Sequence, residues 1–343
     1  MKALVKQSMD NDNLYLKEVP ERMPGPNEVK IKVVAAGLCG TDLHIRKGGG
    51  MNITTPVTLG HEFCGEIAAV GSAVTAWKIG DRVTAEPPAS TCGECEFCKR
   101  LMPALCSDRQ SIGSGVDGAF AEYLVIPQTR LHAVPEEIDC IDAAVLEPLA
   151  CCTHAALEVA DIHVGDKVLI VGPGPMGLLI GRIAVASGAK AVLIGTESDT
   201  ERLELAKELG IHETVIVGRG AERDAEVLQS FSEWDFNTCF ECSGTAPGLK
   251  TCIELVKKLG TIIQVGLMKP LRDIDLVQIV KKEITYRGSF GSTYFSWEKA
   301  ISLLGLGTVS TRLLVTEILP LEDWEKGFDL MERKLACKVI LKP

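Results

Sequence analysis

Four side chains in the first half of the sequence have the chemistry of an open metal site. Cys39 is followed by the pair His61-Glu62 and, much later, by Glu147. A catalytic zinc needs about three sulfur, nitrogen or oxygen ligands and one position open to water or substrate. Taken singly, these residues have ordinary interpretations as a small core cysteine, a turn histidine and surface carboxylates. Further motifs must decide between the two interpretations.

Four more cysteines form a compact motif, Cys92-x2-Cys95-x2-Cys98-x7-Cys106. This spacing matches a closed tetrahedral zinc site of four thiolates, which leaves no open position and therefore predicts a structural zinc. An iron–sulfur cluster could use the same number of ligands. The zinc ribbons of nucleic-acid-binding proteins instead use two Cys-x2-Cys pairs with a longer insert. The motif favours structural zinc.

A third motif, GPGPMG at Gly172–Gly177, has the Gly-x-Gly-x-x-Gly pattern. The pattern alone is weak, because a plain strand-turn-helix can carry it. Here the apolar run Lys167–Val171 precedes it, a helical pattern follows, and Glu197 lies about 20 residues farther on, which is the context of a dinucleotide site. The free N–H groups at the helix start would face the pyrophosphate.

Glu197 bears on the choice of cofactor. A carboxylate at this position would accept hydrogen bonds from the adenosine ribose and repel a 2′-phosphate, so NAD is favoured over NADP. Glu197 could also be a solvated loop residue, and Thr196, Ser198 and Arg202 could hold a phosphate. The candidate cofactor-binding residues are Gly172, Gly174, Pro175, Met176, Gly177, Glu197 and Arg202.

The two halves of the chain differ in the elements that must position these groups. Short strands separated by Gly and Pro clusters indicate a barrel-like β domain in the first half, with strands at Val29–Ala35, Glu66–Val70, Arg82–Ala85 and Tyr123–Ile126. From about residue 150, strands alternate with helices, which predicts an α/β fold with a doubly wound parallel sheet. The strands expected there are Lys167–Val171, Ala191–Gly195, Thr214–Val217, Phe236–Glu241 and Thr261–Val265. The helices expected there are Met176–Ser187, Thr200–Leu209 and Pro247–Lys258.

Composition limits the classes of partner. The 343 residues suit about two domains, and the net charge of −10 argues against a nucleic-acid or anionic-membrane partner. The N-terminal residues turn polar too soon for a secretory signal. The 13 cysteines are an odd, unevenly spaced set that does not indicate a disulfide framework. We therefore expect a cytoplasmic protein.

The combination of motifs resembles the zinc-containing medium-chain dehydrogenases, and within them the polyol (sorbitol-like) and threonine dehydrogenase branch. The segments that carry the resemblance are Gly60–Val74, the four-cysteine motif and Glu147-Pro148-Leu149. The resemblance implies a GroES-like β-barrel catalytic domain at 1–154, to which 290–343 returns, and a Rossmann domain at 155–289. It places the active site in the cleft between them, and a homodimer or homotetramer is expected.

The resemblance also assigns two zinc ions per chain. It implies a catalytic zinc held by Cys39, His61, Glu62 and Glu147, with Glu147 where liver-type alcohol dehydrogenases have a second cysteine. The structural zinc would be held by Cys92, Cys95, Cys98 and Cys106. Cys151 and Cys152 are expected to be small packing residues.

The implied activity is reversible oxidation of a secondary alcohol, a polyol or sugar alcohol, to a ketone with NAD. Threonine 3-dehydrogenase and 2,3-butanediol dehydrogenase activities are the alternatives, and a non-catalytic dinucleotide-binding protein on the same fold is a remote one. His154 matches the polyol form, but the loop Ile45–Gly50 is shorter than in either branch. Its Arg46 and Lys47 could meet an anionic substrate, although ordinary solvated charges are the simpler interpretation.

A proton path can be drawn from the same motif. Zinc would act as a Lewis acid on the substrate oxygen, and hydride would pass to the nicotinamide. Thr41 would receive the hydroxyl proton and His44 would deliver it to solvent, because histidine side chains exchange protons near neutral pH. Their spacing of three residues suits one face of a helical turn. The predicted catalytic residues are Thr41, His44 and Glu62.

Overall fold

The computed structural model describes residues 1–50, 52–218, 220–231, 233–268, 270 and 274–343. They form two compact units. The first unit consists of Met1–Ala150, Ser292–Gly307 and Leu314–Pro343, and the second of Cys151–Gly291 and Thr308–Leu313. None of the described helices combines the length and apolar character needed to cross a membrane.

Strands and helices follow one another along both units. The strands are β1 (Lys2–Lys6), β2 (Leu14–Glu18), β3 (Glu28–Gly37), β4 (Val57–Thr58), β5 (Glu62–Val70), β6 (Arg82–Ala85), β7 (Pro88–Ser90), β8 (Gln110–Ser111), β9 (Tyr123–Pro127), β10 (Leu131–Ala133), β11 (Lys167–Val171), β12 (Lys190–Thr196), β13 (Glu213–Val217), β14 (Phe236–Glu241), β15 (Val256–Gln264), β16 (Thr285–Gly288), β17 (Val315–Pro320) and β18 (Lys338–Lys342). The α-helices are α1 (Gly40–Arg46), α2 (Glu96–Lys99), α3 (Cys140–Ala143), α4 (Leu146–Thr153), α5 (Pro175–Ala186), α6 (Thr200–Glu208), α7 (Ala221–Gln229), α8 (Ala246–Leu255), α9 (Val277–Lys282), α10 (Tyr294–Gly305) and α11 (Trp324–Glu332). A π-helical turn at His154–Val159 continues α4, and short 3-10 helices lie at Pro103–Leu105, Gln128–Arg130, Glu197–Asp199, Arg312–Leu314 and Leu321–Asp323.

The first unit is built around β3, which pairs antiparallel with β5, β9 and β18. The register places Gly37 opposite both Glu62 of β5 and Ile340 of β18. The C-terminal end of β3, the start of β5 and the strand nearest the C-terminus therefore meet at one place. Cys39 lies two residues after the end of β3, so it lies near the same place.

Burial on both faces of the second half of β3 explains why residues 33–37 form a continuous apolar run, whereas the first half of the strand alternates with Lys30 and Lys32. Ile31 and Ala36 belong to the main core of the first unit, which Phe63 and Val339 share. Ala35 packs into a second cluster with residues of α3 and β18. A strand with two buried faces loses the apolar–polar alternation that marks a strand with one solvated face.

The second unit is a six-stranded parallel sheet in the order β13-β12-β11-β14-β15-β16. Chain order reverses beside β11, because β12 pairs on one side of it and β14 on the other. This order is that of a doubly wound dinucleotide fold, and it creates a crevice at the carboxyl ends of the strands. The predicted α/β class and doubly wound parallel sheet are confirmed.

Two details of the predicted organisation differ from the structure. The helix expected at 247–258 ends at Leu255, because buried Val256 already pairs with Phe236 as the first residue of β15. The segment Thr308–Leu313, expected in the returning part of the first domain, belongs to the second unit. There the Arg182 guanidinium of α5 donates a hydrogen bond to the Thr308 carbonyl.

Candidate metal centres and cofactor site

The side chains of Cys39, His61 and Glu62 converge in the first unit. One ligand atom from each lies within 4.8 Å of the other two. Cys39 is the N-cap of α1, and Glu62 begins β5 directly after His61. The pairing of β3 with β5 therefore brings together residues that the sequence separates, and their sulfur, nitrogen and oxygen donors suit zinc.

Two glycines make this convergence sterically feasible. A Cβ atom on Gly37 would lie 2.3 Å from Oε2 of Glu62, so only glycine leaves room for the carboxylate. Gly60 has a φ of +91°, and a Cβ atom there would lie 2.6 Å from the Phe120 ring. The absence of a Cβ atom at these two positions thus allows the observed positions of Glu62 and of the preceding His61.

Asp42 is a residue that the sequence analysis missed. Its Oδ2 accepts the Cys39 N–H at 2.9 Å, and its Oδ1 lies 3.8 Å from Nδ1 of His61. Within the described part of the chain, this buried Oδ1 has no hydrogen-bond partner. A carboxylate beside the second nitrogen of a histidine orients the ring when the first nitrogen binds a metal, so the orphaned oxygen fits a zinc site.

Electrostatics at this cluster reflect burial and close charges. Burial would lower the pKa of His61, but the hydrogen bond with Cys39 and the Asp42 carboxylate raise it well above its usual value. Burial raises the pKa of Asp42, and His61 partly offsets that rise. The His61 and Asp42 side chains therefore each affect the pKa of the other.

Lys338 of β18 is a second residue that the sequence analysis missed. Its Nζ donates to Oε1 and Oε2 of Glu62 at 2.9 and 2.8 Å and to the Leu38 carbonyl at 3.2 Å. Both side chains are almost completely buried. Burial would lower the pKa of Lys338, but the charges of Glu62 and Cys39 raise it above its usual value. The sequence offers a signal, because Lys338 separates the apolar pair Ala336-Cys337 from the apolar residues of β18.

Glu147 lies outside the three-residue cluster. It stands in the first turn of α4 and is half-buried. Its charge nevertheless raises the pKa values of both His61 and Lys338. The structure therefore brings Glu147 into the electrostatic environment of the cluster, and its role as a zinc ligand stays a prediction.

The predicted proton path lies on α1, next to the cluster. Thr41 and His44 both belong to this helix and are exposed. The Thr41 hydroxyl is 3.7 Å from Sγ of Cys39. Arg46 pairs with Asp12 and Lys47 with Glu332, so both side chains already have a carboxylate partner within the protein.

Four thiols form the second cluster, and their sulfurs all lie within 4.8 Å of one another. The Cys92–Cys98, Cys95–Cys98 and Cys92–Cys106 sulfur distances are 3.8, 3.5 and 3.6 Å. Zinc–sulfur bonds of about 2.3 Å in a tetrahedron place sulfurs about 3.8 Å apart, so the cluster fits a structural zinc. A side-chain hydrogen bond with Thr91 lowers the pKa of Cys98 to about 6, which favours its thiolate.

The Gly-rich loop of the second unit has the geometry of a phosphate cradle. Gly172 has a φ of +107°, and a Cβ atom on Gly177 would lie 2.0 Å from the Gly172 carbonyl oxygen. Gly174 is the N-cap of α5, and no described atom lies within 4 Å of where its Cβ would be. The start of α5 has no side-chain cap, so its N–H groups suit a pyrophosphate.

Further predicted residues lie around this loop and after β12. Cys152 packs on Met176, and its thiol is 3.4 Å from the Met176 carbonyl oxygen. Glu197 is exposed in the 3-10 turn after β12, and Arg202 is half-buried on α6. Asp199 accepts from both the N–H and the hydroxyl of Thr196, which holds this turn together. The roles of Glu197 and Arg202 toward a cofactor stay predictions.

Comparison with known proteins matches segments of both units to dehydrogenase families. Residues 25–136 match the family of the alcohol dehydrogenase GroES-like domain, and residues 175–305 match the zinc-binding dehydrogenase family. The chain is similar to a sorbitol dehydrogenase of Halalkalibacterium halodurans, with 38% identity over 100% of this chain and 99% of that protein. It is also 36% identical to a D-arabitol-phosphate dehydrogenase of Enterococcus avium, over 100% of this chain and 97% of that protein.

A solved structure shares the fold along the whole chain. A zinc-binding dehydrogenase from Sinorhizobium meliloti bound to NADP superposes with a TM-score of 0.91 and 30% identity, covering 100% of this chain and 99% of that one. The chain therefore belongs to the zinc-containing medium-chain alcohol and polyol dehydrogenases. It is an enzyme, a zinc-dependent oxidoreductase that uses a nicotinamide cofactor and acts on a small-molecule alcohol. The predicted family, fold and enzyme class are confirmed.

Proposed function

We propose that this enzyme reversibly oxidises a secondary alcohol of the polyol or sugar-alcohol class to a ketone, with NAD as the cofactor. The observation that carries the proposal is the convergence of Cys39, His61 and Glu62 beside a helix that presents Thr41. The named activities of the sorbitol and arabitol-phosphate relatives support the polyol class. Because Arg46 and Lys47 are paired within the protein, an uncharged polyol is favoured over a phosphorylated one.

A substrate panel tests this proposal. Purified enzyme is assayed with sorbitol and other polyols, a polyol phosphate, 2,3-butanediol, threonine and a sugar acid, each with NAD and with NADP, by the absorbance of the reduced cofactor. We expect the highest kcat/KM with a neutral polyol and NAD. A higher kcat/KM with threonine or butanediol would contradict the polyol assignment and support one of the alternatives. Turnover of none of these alcohols would contradict the polyol assignment as well.

The chain's own residues account for orientation and proton movement. When bound, zinc supplies a Lewis acid for the substrate oxygen, and the nicotinamide supplies the hydride acceptor. Cys39, His61, Glu62 and Glu147 would hold the zinc, and Asp42 orients the His61 ring. The Thr41 hydroxyl would accept the substrate proton and His44 would release it to water.

We expect two zinc ions per chain that behave differently on removal. A chelator that takes the ion from the Cys39 cluster should abolish turnover but leave the fold, because Asp42 and Lys338 keep this cluster hydrogen-bonded. Loss of the ion from the four-cysteine cluster should destabilise the segment from Cys92 to Cys106, because the binding of a structural zinc stabilises the folded state directly. Metal analysis combined with circular dichroism measures both effects. Fewer than two tightly bound ions in fully loaded protein would contradict the assignment.

Preference for NAD over NADP should depend on Glu197. Glu197→Ala should shift the ratio of kcat/KM for NAD and NADP toward NADP by about 1–3 kcal/mol, because repulsion of the 2′-phosphate and a charged hydrogen bond to the ribose are both lost. Glu201→Ala, an exposed carboxylate on α6, is the control and should leave the ratio unchanged. An unchanged ratio in Glu197→Ala would mean that Glu197 does not contact the ribose.

Assembly and location are further parts of the proposal. All residues of β16 are exposed, and this strand is the edge of its sheet. Beside it in sequence, α9 exposes Val277 and Val280. An unpaired edge with exposed apolar residues supports a homodimer, or a homotetramer built from it, which light scattering would measure. None of the 13 cysteines, all of which lie in the described part of the chain, forms a disulfide, which supports a cytoplasmic location.

A further inference from the structure

A buried glutamate lies in the second unit, at the carboxyl end of β14. The Glu241 side chain is 0% exposed, although the described cations of this unit make no ion pair with it. Its Oε1 accepts from the N–H of Ser243 at 2.9 Å and from the Ser243 hydroxyl. Its Oε2 accepts from the N–H of Gly244 at 3.1 Å and from Nε2 of Gln264 at 2.7 Å. All these partners donate, so the carboxylate acts only as an acceptor.

The backbone around Glu241 is shaped to admit this carboxylate. A Cβ atom on Gly248 would lie 2.6 Å from Oε1, and one on Gly266 would lie 2.8 Å from Oε2. Backbone N–H groups of Val265 and Gly266 also donate to the Glu241 carbonyl, at 2.9 and 2.8 Å. The side chain and main chain of one residue thus connect the loop after β14 to the loop after β15.

The loop that Glu241 holds is in contact with the phosphate cradle. A Cβ atom on Gly172 would lie 2.7 Å from the backbone nitrogen of Ser243. The Cys242 N–H donates to the Val171 carbonyl at 2.8 Å, one residue before that glycine. On the other side, Oε1 of Gln264 accepts from the Tyr286 hydroxyl of β16 at 2.8 Å. We call these hydrogen bonds, from the Ser243 and Gly244 N–H groups through Gln264 to Tyr286, the Glu241 network. With the Cys242–Val171 hydrogen bond, it links four adjacent strands, β11, β14, β15 and β16.

Sheet order assigns this network to one half of the cofactor. In a doubly wound fold the pyrophosphate lies at the loop after β11, and the acidic residue after β12 serves the adenosine ribose. The adenosine half therefore extends over β12, toward the β13 edge. The nicotinamide half must extend the other way, over β14 and β15, where the Ser243–Thr245 loop lies.

We propose that Glu241 is a positioning residue for the nicotinamide half of the cofactor, acting through the Ser243–Thr245 loop and Gln264. The inference rests on the proposed use of a nicotinamide dinucleotide. Without the carboxylate, the N–H groups of Ser243 and Gly244 lose their common acceptor, and the loop no longer has one defined place beside Gly172. The proposal requires that the adenosine and pyrophosphate parts bind independently of this loop, because their expected contacts are the residues after β12 and the N–H groups at the start of α5.

The test compares NAD with ADP-ribose, which lacks the nicotinamide, by isothermal titration calorimetry on the full chain. In Glu241→Gln, an amide NH2 group replaces one acceptor oxygen. This group lies opposite hydrogen-bond donors that no longer have an acceptor. We expect NAD affinity to fall by about 10- to 100-fold, the size of lost hydrogen bonds to a charged group, while ADP-ribose affinity changes less than about twofold. Ser243→Ala, which removes one of the donors, should lower NAD affinity selectively by a few-fold. The matched control is Glu254→Gln, the same change at an exposed site on α8, and it should leave both affinities unchanged.

The other outcomes overturn the proposal in distinguishable ways. Equal losses for NAD and ADP-ribose in Glu241→Gln would mean that Glu241 only stabilises the second unit. Unchanged NAD affinity in both variants would mean that the loop does not position the cofactor. If Glu241→Gln fails to fold, the Ser243→Ala variant decides. An unchanged ratio of NAD affinity to ADP-ribose affinity in that variant overturns the proposal. Wild-type enzyme that binds neither ligand would refute the proposed cofactor itself.

Discussion

Replacing Lys338 with Met should lower the free energy of unfolding by about 3–5 kcal/mol, the cost of leaving one member of a buried ion pair without its partner. Both oxygens of Glu62 accept from this ammonium group, and neither side chain is reached by water. Methionine has a similar length but offers no donor, so Glu62 would be left as an uncompensated buried charge. Urea denaturation of metal-free protein, followed by tryptophan fluorescence, measures the change.

The double variant Glu62→Gln with Lys338→Met separates this explanation from a packing defect. Removing the second charge should restore a large part of the lost stability, because the penalty comes from the unpaired carboxylate. The matched control is Lys47→Met, since Lys47 pairs with Glu332 at an exposed site. That variant should lower the free energy of unfolding by no more than about 1 kcal/mol. Equal losses for Lys47→Met and Lys338→Met, with no recovery in the double variant, would contradict an electrostatic origin.

The position of Lys338 shows why part of the site could not be predicted from the sequence. Lys338 and Glu62 meet only because β3 pairs with β5 on one side and with β18 on the other. Such a contact depends on the register of strands far apart in the chain, which local patterns do not specify. The four-cysteine motif and the Gly-rich loop could be predicted, because short spacing alone brings their groups together.

Glu241 illustrates a second limit. Its strand, Phe236–Glu241, is predicted with the bounds that the structure has. Its burial is not predictable from the strand pattern, because it depends on donors from Ser243, Gly244 and the distant Gln264. A terminal glutamate with a solvated carboxylate would have the same local sequence. The glycines at 248 and 266 are the signal that the sequence offers for this burial. Each lacks the Cβ atom that would occupy the space of the Glu241 carboxylate.

Thr41→Val should lower kcat for alcohol oxidation by about 10²–10⁴-fold, the range typical of lost general acid–base assistance. Valine keeps the shape of the side chain but removes the hydroxyl, which lies 3.7 Å from Sγ of Cys39. Zinc content and NAD affinity should hardly change, because Thr41 belongs to neither predicted ligand set. Steady-state kinetics, metal analysis and calorimetry on the same preparation measure these three quantities.

Thr41→Ser is the matched control, because it retains the hydroxyl and should keep most of the activity. His44→Ala should lower kcat less than Thr41→Val does, since water can replace an exposed outer member of the path, and it should change the dependence of kcat on pH. The competing explanation is that Thr41 only stabilises the start of α1. The structure disfavours it, because Cys39 is the N-cap and Asp42 closes the first turn by accepting the Cys39 N–H. If Thr41→Val loses thermal stability but keeps its rate, and both pH profiles match the wild type, the proton path through Thr41 and His44 does not exist.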